Sequence, residues 1–230
     1  MKKAFVGWSG GKDCTLALHK IIEEKNYKPE FLLTNVSTET KRVSMHGVRH
    51  ELITRQEFSL GIKGRKIYLP VDYTYETYNN YMQHECNLMK QRGIDYVVFG
   101  DIFLEDLKKY REEKLKECNL SGIFPLWKKP SVVIYNEFVD LGYKAIIICV
   151  NSNKLGKEFL GKTLTKDLLE KFPADVDCCG ENGEFHTFAY EGPIFKKSIS
   201  FTTGETVYKT YPAPDKREDM GFYFLDLIPA

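Results

Sequence analysis

The stretch Ala4-Phe5-Val6-Gly7-Trp8-Ser9-Gly10-Gly11-Lys12-Asp13-Cys14-Thr15-Leu16-Ala17-Leu18 decides the fold. Its first five residues read as a buried strand, and Cys14, Leu18, Ile21 and Ile22 then recur on one helix face. Between strand and helix stands Ser9-Gly10-Gly11-Lys12-Asp13. Two glycines let the backbone turn tightly and present N–H groups to phosphate oxygens, and the helix N-terminus favours negative charge. Ser9 supplies a hydroxyl, Lys12 a cation for charge that develops during phosphoryl or nucleotidyl chemistry, and Asp13 a magnesium ligand or a cap. Ser, Gly and Asp also suit such turns for capping alone, but the added lysine in this strand-to-helix order points to phosphate. The spacing is not that of the Walker loop, so the γ-phosphate need not be the reacting group.

Outward from this stretch, strands and helices alternate. Strands are expected at 31–33, 66–71 and 96–99, and helices over 47–60 and along the face of Tyr78, Met82, Cys86 and Met89. A further charged helix, carrying Glu105, Asp106 and Arg111, follows Gly100-Asp101. This alternation predicts an α/β fold with a parallel sheet and ligands at the carboxyl ends of its strands, which puts residues 9–13 and Gly100-Asp101 on one edge. A helix over 130–141 and a strand over 145–150 continue the style. The last fifty residues read as β structure, at 185–190, 198–202, 206–208 and 222–227, with a surface loop over 211–220. The division expected is a nucleotide domain, 1–128, and a smaller α+β domain, 129–230. The β-rich end offers an edge for self-association into a homo-oligomer.

Composition narrows the function classes. The 230 residues carry 33 Lys and Arg against 32 Asp and Glu, a net charge of +1, which argues against nucleic acid and acidic membranes as partners. No apolar run reaches the roughly 18–20 residues that cross a bilayer, and no export signal is read at the N-terminus. Six cysteines are too sparse for a disulfide framework, so a cytoplasmic, reducing location is expected.

A second motif is Cys178-Cys179-Gly180-Glu181-Asn182-Gly183-Glu184-Phe185-His186-Thr187. If its end enters a strand, Glu184 and His186 share one face, and an acid and a base sit side by side over a pocket. From the residues alone, a polar turn leading into a half-exposed strand accounts for them equally well. Adjacent cysteines read as buried or half-buried thiols. His46 and His50 would share a helix face, but a third ligand is lacking there and zinc is not expected. Tyr73, Tyr75, Tyr78 and Tyr81 read mainly as packing, with one free to stack on adenine.

The loop at 9–13 resembles the pyrophosphate loop of the N-type ATP pyrophosphatases, which include GMP synthetase, asparagine synthetase and the tRNA thiolases. Taken with Gly-Glu-Asn-Gly-Glu-Phe-His-Thr-Phe at 180–188, it resembles the diphthine–ammonia ligase family. Met45-His46-Gly47, Gly100-Asp101-Ile102, Phe124-Pro125-Leu126-Trp127, Phe159-Leu160-Gly161-Lys162 and Gly192-Pro193-Ile194-Phe195 match in the family's order.

The resemblance implies ATP, magnesium and a Rossmann-like sheet of the adenine nucleotide α-hydrolase (HUP) type. It implies an ATP-dependent ligase that adenylates a carboxylate, releases pyrophosphate and amidates the product with free ammonia. Ser9, Gly10, Gly11 and Lys12 would hold the pyrophosphate, His46, Gly100 and Asp101 would line the nucleotide site, and Asp13 would bind magnesium. Glu181, Asn182, Glu184, His186 and Arg111 would meet the acceptor, with Lys12, Glu184 and His186 catalytic. The acceptor would be diphthine on elongation factor 2 in an archaeal or eukaryotic source, or a small carboxylate of a cofactor pathway in a bacterial one. A thiolase and a non-catalytic ATP-binding module are the alternatives.

Overall fold

The computed structural model describes residues 1–211 and 219–230; most of the surface loop expected over 211–220 lies outside them. Strand β1 (Lys2–Gly7) is the centre of a parallel sheet in the order β3-β2-β1-β4-β5, with β2 at Tyr27–Ser37, β3 at Lys63–Leu69, β4 at Tyr96–Val98 and β5 at Ser121–Ile123. Helices cover both faces, so alternate residues of β1 enter different cores. Ala4 and Val6 pack into a core with helix α1 (Lys12–Glu24), while Phe5 packs into another with α3 (Tyr75–Gln91) and the end of α4 (Glu105–Glu117). Burial on both faces is why these strands read as continuous apolar runs. The strand order reverses between β2 and β4 on either side of β1, the position at which doubly wound sheets bind ligands.

Helix α1 buries Leu16, Leu18 and Ile21 completely, each contributing about 1.5–3 kcal/mol. Ile22, expected on that face, is 37% exposed. Helix α2 (His50–Leu60) begins three residues later than the pattern suggests. Met45 and Gly47 hold left-handed backbone, at φ 64° and 73°, so residues 45–47 form a turn and cannot continue the helix. His46 and His50 therefore do not share a helix face. Of the four tyrosines, Tyr73, Tyr75 and Tyr81 are exposed and only Tyr78 packs into the core: α3 turns Tyr75 and Tyr81 away from the sheet, and Tyr73, ahead of the helix, stacks on Tyr78.

Helix α5 (Ser131–Asp140) leads into β6 (Lys144–Asn151), then a short α6 (Lys166–Leu169). With β7 (Phe185–Glu191), β8 (Phe201–Tyr211) and β9 (Met220–Pro229), β6 builds an antiparallel sheet in the order β7-β6-β9-β8. The two short strands expected before residue 208 are one long strand, β8, broken in register between Thr203 and Thr206, and residues 198–200 precede it. The apolar core that covers α1 continues through Phe138, Ile147, Phe188 and Leu227 into the second sheet. No helix among the described residues is long and apolar enough to cross a membrane.

Candidate active site

The loop after β1 turns at Gly10, whose φ is +82°. A side chain there would be strained, and its Cβ would lie 2.6 Å from Ile53 Cδ1. The second sheet clasps this turn: the Ala189 N–H donates to the Gly10 carbonyl at 2.8 Å. Gln56, fully buried on α2, donates to the Gly10 and Ala189 carbonyls at 3.0 and 2.6 Å and accepts from Trp8 Nε1 at 2.8 Å. Thr187 Oγ1 accepts from the Lys12 N–H at 3.0 Å and so caps the first turn of α1. Gln56 lies outside the sequence motifs, and Thr187, though it closes the second one, has no role assigned by sequence. The available signal for Gln56 is a polar residue on the buried helix face of Leu52 and Ile53.

Lys12 is 2% exposed. Its ammonium donates to both Asp13 oxygens, at 2.7 and 2.8 Å, and to the Cys179 carbonyl. Burial is the largest single influence and opposes the charged form, but attraction and hydrogen bonding to Asp13, with Cys179 and Asp177 adding to them, together outweigh it and hold the Lys12 pKa above the ordinary value. Burial pushes the Asp13 carboxyl upward against the pull of Lys12. Gly100, at the end of β4, lies against this turn: a Cβ on it would be 2.7 Å from the Asp13 carbonyl carbon. The two strand ends expected on one edge are thus in contact.

A cleft of about 510 Å³ opens over the turn. Ser9, Lys12, Asp13, His46, Gly100, Asp101, Arg111, Glu181 and His186 line it; Asn182 and Glu184 do not. Asp101 is paired with Arg111, Nε to Oδ2 at 2.8 Å, and the guanidinium lies 4.3 Å over the Phe99 ring. His46 stacks on His186 at 4.4 Å between ring centroids. Burial, then the nearby His186, drives the His46 pKa well below its ordinary range, and its buried Nδ1 has no partner among the described residues. Burial, with Lys12 adding to it, pushes His186 down to about 4.

The expected Glu184–His186 pair over a pocket is not formed. Strand β7 starts at Phe185, and Gly180 and Gly183, at φ +70° and +84°, curl the preceding turn back on itself. The Glu184 carboxylate is 3% exposed and accepts from the N–H groups of Asp177 and Asn182 and from Asn182 Nδ2, all at 3.0 Å. It orders its own loop, and Asn182 is spent on that carboxylate. The acid of this loop that faces the cleft is Glu181. Its Oε1 accepts from the Ile102 N–H at 2.7 Å, tying this loop to the end of β4. Burial raises its pKa to about 7, with the charges of Asp13 and Asp101 adding to the rise. A base whose pKa lies near neutrality is matched to proton transfer; His186 is not.

All six cysteines are free thiols. Burial pushes Cys14, Cys86 and Cys149 up, away from thiolate chemistry. Cys178, half-buried, is the exception, lowered by hydrogen bonding to Cys179.

A diphthine–ammonia ligase from Danio rerio is 28% identical over 225 residues, covering 86% of this chain and 86% of the relative. One from Mus musculus is 29% identical over 225 residues, covering 86% and 82%. One from Schizosaccharomyces pombe is 28% identical over 223 residues, covering 86% of this chain but 36% of that longer relative. Among solved structures, a U34-tRNA thiolase from Methanococcus maripaludis with its 4Fe-4S cluster aligns over 61% of this chain and 57% of its own, at 17% identity and a TM-score of 0.37. The diphthamide synthase N-terminal domain model matches residues 1–123 and the diphthamide synthase C-terminal domain model residues 130–213, and the chain belongs to the diphthamide synthase family.

Proposed function

We propose that the chain is an ATP-dependent, AMP-forming ligase that adenylates the carboxylate of diphthine and amidates it with ammonia. The observation that carries this reading is the meeting of Ser9 and Asp13 from the loop after β1, the buried Lys12 and the near-neutral Glu181 in one cleft at the sheet's reversal point. Residues 1–128 serve as the ATP-binding unit, and residues 129–230 supply the wall that faces it.

The N–H groups at the start of α1 that Thr187 does not cap, with Ser9, Gly10 and Gly11, hold the phosphates of ATP. A carboxylate oxygen of the acceptor attacks the α-phosphorus and pyrophosphate leaves, its growing charge met by Lys12. Ammonia then attacks the acyl carbon, AMP departs, and Glu181 takes the proton shed by nitrogen. His46 offers its unpartnered Nδ1 to the bound molecule, and the Gly100-Asp101 end of β4 borders the nucleotide. His186, neutral at pH 7, supports the His46 ring rather than shuttling protons. Arg111 receives the acceptor carboxylate. Asn182 and Glu184 hold the loop that aims Glu181.

Among the described residues no three metal-ligating side chains gather into a cage. Magnesium bound with ATP needs only one or two carboxylates beside the phosphates, and Asp13 fits that requirement. It would hold the ion, which when bound would draw charge from the phosphates.

The decisive experiment supplies ATP, ammonium and a diphthine-bearing acceptor and identifies the products. AMP, pyrophosphate and the amide are expected; ADP and phosphate would overturn the reading.

A further inference from the structure

Beside the phosphate cleft, α3 and α4 part to leave a second cavity of about 320 Å³, within the range of small-ligand pockets, about 300–1,000 Å³. Tyr75, Tyr78 and Tyr110 line it. The Tyr75 and Tyr110 rings lie 5.7 Å apart at 41°, a tilted pair rather than a parallel slot for a flat base. Tyr110 is fixed by donating its hydroxyl to Asn79 Oδ1 at 2.5 Å. Tyr75 remains 64% exposed, an aromatic face that the fold itself does not cover.

The charges around these rings favour a cation. Arg111 is paired with Asp101, and Lys114 with Glu117 at 2.8 Å. Glu76, exposed on the first turn of α3, lines the cavity without an ion-pair partner among the described residues. Ring faces with a nearby carboxylate suit a positive group that cannot donate hydrogen bonds, which is the chemistry of a quaternary ammonium. The cavity also joins the phosphate cleft, because Tyr78, Phe99 and Arg111 line both. A ligand bearing a carboxylate next to a quaternary ammonium could place one group on each side of that junction. Diphthine has both groups on one carbon.

We infer that the α3–α4 cavity is the subsite for the quaternary ammonium of the acceptor, whose carboxylate reaches the phosphate cleft past Arg111. The inference rests on the amide-ligase reading, and it assigns the acceptor's charged end to the first unit of the chain rather than the second. Tyr75 and Tyr110 are then specificity residues.

The test compares a trimethylated acceptor with its unmethylated amine counterpart in AMP formation by the full chain, Tyr75→Ala, Tyr110→Ala and Tyr75→Phe. The wild-type chain should prefer the trimethylated acceptor. Each alanine variant should raise its KM about tenfold, on the scale of a desolvated cation–π contact, and lose the preference; phenylalanine should restore it. The KM for ATP should stay constant. An unchanged acceptor KM in both alanine variants overturns the subsite while leaving the ligase reading in place, and a rise in the ATP KM instead assigns the cavity to adenine. Titration with tetramethylammonium chloride, against sodium chloride at equal ionic strength, reads the cavity without turnover. Saturable quenching of tyrosine fluorescence, lost in Tyr75→Ala, supports the subsite, and its absence from the wild-type chain overturns it. If quenching is seen but no AMP forms with either acceptor, the ligase reading fails separately.

Discussion

Two glycine-bracketed loops face each other across the cleft. In residues 9–13 the charge is buried and paired in place, Lys12 against Asp13, and the backbone is pinned by Gln56 and Ala189. In residues 180–184 two carboxylates only three positions apart are treated in opposite ways. Glu184 is saturated by amides of its own loop, while Glu181 is left bordering the cleft with its pKa near neutrality. A glycine turn between strand and helix has one geometry and its residues keep the roles their types suggest. A free-standing turn distributes roles according to which side chain its own N–H groups capture.

This contrast is exposed first at the phosphate loop. Lys12→Gln keeps a hydrogen-bond donor, one bond nearer the backbone, while removing the charge, and should lower kcat for AMP formation by about 10²–10³-fold, the scale of losing one donor to a developing anion. Product analysis under saturating ATP checks it.

The next effect lies on the facing loop. Glu181 is protonated in the folded chain below about pH 7. If it is the base, kcat/KM falls about tenfold per pH unit below 7 and levels off above it. Glu181→Gln should remove that limb and lower kcat about 10²-fold. Its effect on stability has the opposite sign. A carboxyl whose pKa is raised on folding contributes stability at low pH that is lost between about 4.5 and 7. The variant should therefore flatten the pH dependence of the urea midpoint in that window.

The smallest effect on chemistry belongs to the carboxylate that sequence favoured. Glu184→Ala leaves the amides of Asp177 and Asn182 without their acceptor and should cost about 3 kcal/mol, at about 1.5–3 kcal/mol for each charge-assisted bond less what water restores. A lower urea midpoint at unchanged slope, with the pH limb near 7 retained, would confirm that Glu184 orders the loop. Loss of that limb in Glu184→Ala, but not in Glu181→Gln, would reverse the assignment.

Legibility followed physical constraint. The buried strands and the turn at 9–13 could be read because a doubly covered strand must be apolar throughout and a phosphate turn must have glycine where φ is positive. Strand β5 gave no signal, since Ser121-Gly122-Ile123, unlike the equally short but apolar β4, makes no apolar run. The start of α2 was misplaced because Met45 adopts a positive φ that sequence does not suggest for methionine. The roles of Gln56 and Thr187 were not legible because each acts on a backbone distant in sequence, at separations of 46 and 175 residues.

Sequence by itself determined the parallel sheet, the glycine turn at residues 9–13 and the family to which the motifs belong, because these follow from local patterns repeated in a fixed order. Tertiary structure alone decided which acid of the second loop faces the cleft, that His46 stacks on His186, and that the exposed Tyr75 of α3 meets Tyr110 of α4 beside that cleft. Each of those depends on which groups satisfy one another across long separations in the chain, and a carboxylate saturated by amides is chemically a different group from one that borders a cleft.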